Sequence, residues 1–205
     1  MSEIFKFNTE DAVKVEQPKR QVNVPIFNLV PETDPILKEV LPEFDFENPS
    51  VNPNEFASSM VETCIKHNGY GLSANQCGFK YRMFVMGAKE DYVAFFNPSI
   101  VLKSKKEVHM VEGCLSFPML SLGVTRPEEI AVTYQDFNGN WQEATFHGIS
   151  ARIFQHELDH LNGIVYTSRA KPMALQSGMK KRGKLNHLLN KMNKTIEKME
   201  HGNSN

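Results

Sequence analysis

The sequence predicts an α+β fold, with mostly antiparallel sheets packed around a central helix that carries a His-Glu-x-x-His motif. Three observations carry that prediction. Strand-like runs recur between residues 81 and 147, linked for the most part by short turns and with few helices among them. Asn138-Gly139 stands between two such runs, 130–137 and 141–147, a dipeptide that favours a hairpin turn. Helical signals are confined to about three stretches, 53–67, 150–162 and one near the C-terminus.

In chain order, the 205 residues suit one domain of ordinary size, 1–205, with no internal repeat. Residues 1 to about 24 form a polar extension. Glu3, Glu10 and Asp11 and the lack of an apolar core argue against a signal or transit peptide. The helix at 53–67 gathers Phe56, Met60, Val61 and Cys64 on one face, so Cys64 reads as core. A glycine-rich segment, residues 69–76, follows it, and Cys77 comes directly after. Strands are expected at 81–86, 92–96, 100–103 and 107–111, then at the two runs flanking Asn138-Gly139. For the helix at 150–162, Ser150 is the expected N-cap, Ile149, Ile153 and Phe154 supply apolar contacts, and Gly163 is placed to stop it. From Ala170 onward eight Lys and Arg face two Glu, and Leu185, Leu188, Leu189, Met192, Ile196 and Met199 recur with helical period. This tail, 170–205, reads as a basic amphipathic helix whose apolar face docks on the body.

The chemistry is concentrated in Gln155-His156-Glu157-Leu158-Asp159-His160. Histidines four apart on a helix lie almost one above the other, so both imidazoles can bind one ion from a single face. Glu157 then stands beside the ion's open position, where a general base for a water nucleophile belongs. A core helix with two satisfied histidines accounts less well for the complete motif.

A catalytic site of this kind usually takes a third protein ligand. One protease class supplies it as H-E-x-x-H-x-x-G-x-x-H, but Tyr166 holds the last place here. A second class uses a downstream Glu, and no Asp or Glu occurs between His160 and Glu197. The ligand must therefore come from upstream or from an unusual source. Cys114, in Glu112-Gly113-Cys114-Leu115-Ser116 at the end of a strand-like run, is the best candidate, with Gly113 freeing the backbone for close approach. His109 and His147 remain possible. Cysteine with two histidines suits Fe(II), Zn(II), Co(II) or Ni(II).

The glycine-rich segment reads Gly69-Tyr70-Gly71-Leu72-Ser73-Ala74-Asn75-Gln76, ending in an amide that can donate a hydrogen bond. The three segments in this order resemble peptide deformylase, with signatures G-x-G-L-A-A-x-Q, E-G-C-L-S and Q-H-E-x-D-H. Ser73 is the single departure, where alanine is usual. The looser resemblance runs from about Asp34 to Arg169.

That resemblance implies that Cys114, His156 and His160 bind one divalent metal, Fe(II) above all, with Zn(II), Ni(II) or Co(II) as substitutes. It implies removal of the formyl group from N-formylmethionyl peptides. Glu157 would be the general acid and base, and Gln76 with the Leu115 backbone N–H would stabilise the developing oxyanion. Tyr70, Gly71 and Gly113 would contact the peptide backbone, while Met110, Ile149 and Ile153 would form the methionine pocket. Arg152 lies one turn before His156, where an apolar residue is expected; its stem would line the pocket mouth with the charge in solvent.

A thiolate ligand and three cysteines fit a reducing compartment, and the cytoplasm is expected. No apolar run is long enough to span a membrane. With a formal net charge of −1, the positive potential is local to the tail, where Lys180, Lys181, Arg182 and Lys184 could meet ribosomal RNA. A zinc endopeptidase and a metal-stabilised RNA-binding protein are the competing readings. The first would cut internal peptide bonds; the second would give Gln76 no role.

Overall fold

The computed structural model describes residues 24–202 apart from Glu90, so nearly all of the expected N-terminal extension falls outside the described residues. In chain order the elements are α1 (Pro53–Lys66), β1 (Gly71–Ser73), β2 (Met83–Ala88), β3 (Asp91–Lys103), β4 (Glu107–Cys114), β5 (Phe117–Pro127), β6 (Glu129–Gln135), β7 (Trp141–His147), α2 (Gly148–Leu161) and α3 (Pro172–Gly202). The strands β1-β2-β3-β6-β7, in that order, make one antiparallel sheet, and β4-β5 make a separate hairpin.

Side-chain alternation explains how the larger sheet holds a helix on each face. Phe84 and Met86 of β2 and Val93 and Phe95 of β3 join a core with Ala151, Phe154, Leu158 and Leu161 of α2. The intervening residues, Met83, Val85, Tyr92, Ala94 and Phe96, join a second core with Phe56, Met60, Val61 and Cys64 of α1. Both faces are covered, which is why Met83-Phe84-Val85-Met86 is apolar throughout and shows no polar alternation. Phe154, fully buried among Phe84, Phe95 and Phe146, is a keystone whose truncation to alanine should cost about 3–5 kcal/mol.

A third core joins β5 to the segment after α2: Leu120, Leu122 and Val124 pack with Val165, Tyr166 and Ala170, and Leu175 of α3 lies against them. The α2 helix is thereby held between the larger sheet and β5, and eleven of its fourteen residues are buried.

Several boundaries differ from expectation for local reasons. Ser150 does not cap α2: the helix starts at Gly148, whose φ is +54°, and Ser150 is buried inside its first turn. Gly163 does end the helix region, at φ +68°, where a Cβ would stand 2.5 Å from the Lys38 carbonyl oxygen. The strands expected at 92–96 and 100–103 are one strand, β3, with register shifts after Phe96. Asn97 at φ +48° and Pro98, which lacks an N–H, interrupt the ladder without ending it. The strand β5 was not among those expected.

The apolar face of α3 does not dock along its length. Leu175 and Gly178 pack on the body, whereas Leu185, Leu188, Leu189, Met192 and Ile196 are exposed. No helix among the described residues is long and apolar enough to cross a membrane.

Candidate active site and metal centre

Cys114 stands at the end of β4, beside a register irregularity in the hairpin, while His156 and His160 project from one side of α2. Cys114 Sγ and one ring nitrogen from each histidine lie within 4.8 Å of one another. Sγ is 3.3 Å from His160 Nε2. A tetrahedral ion with bonds of about 2.0–2.3 Å separates its ligands by roughly 3.5 Å, so this donor set fits a divalent metal. The alternative ligands do not reach: His109 pairs with Thr125 and His147 lies near Glu129, both at exposed positions.

The two rings differ in their surroundings. Nδ1 of His156 lies 3.0 Å from Glu112 Oε2, which leaves Nε2 for an ion. Burial would lower the His156 pKa, but its hydrogen bonds to Cys114 and Glu112, with the charges of Cys114 and Glu157, push it up to about 10. Surroundings that favour a proton there also favour a bound cation. His160 is held well below 6.5 by burial and by the charges of His156 and Arg126, so its ring is neutral at pH 7 and offers a lone pair. Its Nδ1 has no hydrogen-bond partner among the described residues.

Glu112 belongs to a buried ion network that sequence reasoning missed. Its Oε1 accepts from Arg126 Nε at 2.7 Å and from Arg152 Nη1 at 2.8 Å, and its Oε2 accepts from Arg126 Nη2 at 2.9 Å. Arg126 also donates to Asp159 at 2.6 Å, and Asp159 pairs with Arg169. Burial would raise the Glu112 pKa, but hydrogen bonds from Arg126, His156 and Arg152 hold it far below the carboxylate range. Arg152 is therefore not at a pocket mouth. It is 5% exposed, and its guanidinium also donates to the carbonyls of Val124 and Val108. The only sequence signal was Arg126 continuing the buried alternation of Leu120, Leu122 and Val124, where a charge demands a partner.

The glycine-rich segment closes the other side. Gln76, 1% exposed, donates from Nε2 to Ser116 Oγ at 3.1 Å and toward Cys114 Sγ at 3.5 Å. Its Oε1 accepts from the Ser73 N–H at 2.9 Å, which fixes which way the amide faces. Asn75 donates to the His160 carbonyl at 2.8 Å. Glu157 is buried, and Ser73 Oγ donates to its Oε2 at 2.7 Å. Burial raises the Glu157 pKa against the opposing influence of His156, Ser73 and Arg126. Gly71 is required by this packing, since a Cβ there would come within 2.5 Å of Glu157 Oε1.

The remaining expected residues are less tightly gathered. Leu115 follows Cys114 and packs toward Gly69, where a Cβ would meet its Cδ1 at 2.8 Å. Tyr70 is exposed, and its carbonyl accepts from the Gly87 N–H. Gly113 is exposed, and among the described residues, its chain neighbours aside, the nearest atom to where its Cβ would be is the Leu120 carbonyl oxygen at 4.0 Å. Met110 is half-buried on the same side of β4 as Glu112. Ile149 is half-buried, and Ile153 packs partly against the core between α2 and the larger sheet.

Residues 26–176 match the family model described as polypeptide deformylase. Among curated proteins, the peptide deformylase of Synechocystis sp. is 38% identical over 135 residues, covering 63% of this chain and 72% of that one. Among solved structures, the peptide deformylase of Thermotoga maritima superposes with a TM-score of 0.66 at 34% identity, covering 72% of this chain and 99% of that one. The class I type b peptide deformylase of Acinetobacter baumannii with Met-Ala-Ser bound gives 0.68 at 29% identity, covering 72% and 99%.

Proposed function

The chain belongs to the polypeptide deformylase family, and from that premise we propose how its residues carry out the reaction. The protein is a metal-dependent hydrolase that removes the formyl group from the formylmethionine at the start of nascent polypeptides. The assignment of roles is supported above all by the convergence of Cys114, His156 and His160 beside the buried carboxylate of Glu157.

Cys114, His156 and His160 would hold one divalent ion. Sulfur with two imidazoles suits Fe(II), Zn(II), Co(II) or Ni(II), and among these the family resemblance favours Fe(II). When bound, such an ion polarises the formyl carbonyl and makes a water ionise near neutral pH. Glu157 takes the proton of that attacking water and passes it to the departing amine, which leaves poorly unless protonated. The Gln76 amide and the Leu115 N–H donate to the formyl oxygen as negative charge grows there. Glu112 orients His156 through Nδ1, an acceptor role that fixes the ligating tautomer.

For substrate binding, the peptide lies extended, with backbone contacts at Tyr70, Gly71 and Gly113. The exposure of Gly113 leaves room for such an approach. Met110, Ile149 and Ile153 would line the methionine pocket. In the tail, Lys180, Lys181 and Lys184 would contact ribosomal RNA, consistent with their exposure. Arg182 is less suited than expected, since it is largely buried against Glu32 at 2.6 Å. A thiolate ligand and nascent-chain substrates would suit a reducing compartment such as the cytoplasm.

The test is formate release from formyl-Met-Ala-Ser by protein purified without oxygen and assayed for metal content. Equal or faster cleavage of an unformylated, internally quenched peptide would instead indicate an endopeptidase.

A further inference from the structure

We infer that Ser73 is a positioning residue for Glu157, its hydroxyl fixing the carboxylate that moves the proton; this deepens the proposed mechanism and rests on the role given to Glu157. A glutamate side chain has three rotatable torsions, and holding it in one orientation requires contacts that offset the lost freedom. Two such contacts come from β1. Residues 71 and 73 of a strand point to the same face, and here that face meets Glu157. At Gly71 the backbone packs directly on Oε1, in a space where a Cβ would overlap it at 2.5 Å. At Ser73 the hydroxyl donates to Oε2 at 2.7 Å and lies 3.1 Å from the Glu157 carbonyl oxygen. One carboxylate oxygen is thus tied and the other is confined by backbone.

The bracket is rigid because β1 is. Its residues pair in register with β2, Gly71 with Met86 and Ser73 with Phe84, and Ser73 is fully buried. The same residue also donates its N–H to Gln76 Oε1. Ser73 therefore aligns two catalytic groups, Gln76 through its backbone and Glu157 through its side chain. Only the second depends on residue type. Alanine, usual at this place in the resembled motif, would keep the first contact and lose the second.

Ser73→Ala separates the two. Its turnover of formyl-Met-Ala-Ser should fall about tenfold in kcat, within the worth of one hydrogen bond to a charged group, while KM stays within twofold. Metal content should be unchanged. Because the hydroxyl acts through the carboxylate, Ser73→Ala should cause no further loss in a Glu157→Gln background. Independently of turnover, the carboxylate infrared band that Glu157→Gln removes should move in Ser73→Ala. An unchanged kcat with an unmoved band, or the same proportional loss in both backgrounds, would overturn the inference. If Glu157→Gln is inactive in that case, the role of Glu157 still stands; if Glu157→Gln stays active, both fall.

Discussion

Replacing Glu112 with glutamine keeps the shape of the side chain and removes its charge, and the structure fixes what must follow. The carboxylate is 4% exposed and accepts from Arg126 Nε and Nη2, from Arg152 Nη1 and from His156 Nδ1. A glutamine offers one oxygen and one NH2. With its nitrogen in the place of Oε2, it faces Arg126 Nη2 and His156 Nδ1; in the place of Oε1, it faces Arg126 Nε and Arg152 Nη1. Either orientation opposes donor to donor. Removing one partner of a buried ion pair costs about 3–5 kcal/mol. Arg126 keeps Asp159 and Arg152 keeps two carbonyls, so the loss should sit near the lower end, about 3 kcal/mol. With the nitrogen in the place of Oε2 His156 loses its orienting acceptor, and in the other orientation that acceptor loses its charge, so metal binding should weaken roughly 10–100-fold. Urea unfolding of ion-free and ion-loaded protein, with chelator competition for affinity, measures both. The ion's added stabilisation should shrink by about 1.4–2.7 kcal/mol at saturating concentration. A variant with wild-type ion-free stability and affinity within twofold would refute the reasoning that this carboxylate holds the site together.

The other substitutions separate the roles. Glu157→Ala should remain a folded metalloprotein with almost no formate release; retention of more than about a tenth of wild-type turnover contradicts its part in proton transfer. Gln76→Ala should lower kcat by roughly 10²–10³ with metal still bound, the cost of one oxyanion donor. Its loss of metal would point to a structural role. Cys114→Ser should weaken metal binding first, because an alcohol does not ionise near neutral pH; metal analysis after dialysis reads this directly. Truncation after Gly183 combined with Lys180→Ala and Lys181→Ala removes every lysine proposed to meet RNA but keeps Leu175, Gly178 and the Arg182–Glu32 pair on the body. Ribosome binding should then weaken in steeply salt-dependent fashion, and identical binding by both forms would exclude the tail.

What the sequence disclosed follows the range of the interactions involved. The α2 ligands were legible because a spacing of four on a helix is a local fact, and Gly163 because a positive φ is tied to residue type. The fate of Ser150 was not, since the turn before it belongs to β7 and Gly148. Strand β5 carries the alternation Leu120, Leu122, Val124 that should have revealed it. Arg152 was misplaced for a deeper reason. Whether an arginine on a helix snorkels or is buried depends on a carboxylate forty residues away in sequence, at Glu112, and no local pattern encodes that meeting.

The same distances explain why three short motifs, separated by long intervening stretches, behave as one unit. Each motif supplies a polar group that another needs. Gln76 of the first donates toward Cys114 of the second. Glu112 of the second accepts from His156 of the third. Ser73 and Asn75 of the first donate to Glu157 and to the His160 carbonyl of the third. The contacts are buried or, for Gln76 with Cys114, partly buried, so an unmatched partner keeps much of its desolvation cost. Spacing within a motif is therefore rigid, because neighbouring residues must face different partners, as Glu112 and Cys114 do. Spacing between motifs is set only by the sheet and hairpin that carry them. A change such as Gly71→Ala, far from the ion ligands in sequence, should then act on Glu157 by steric overlap. Loss of turnover with full metal content would distinguish that from unfolding.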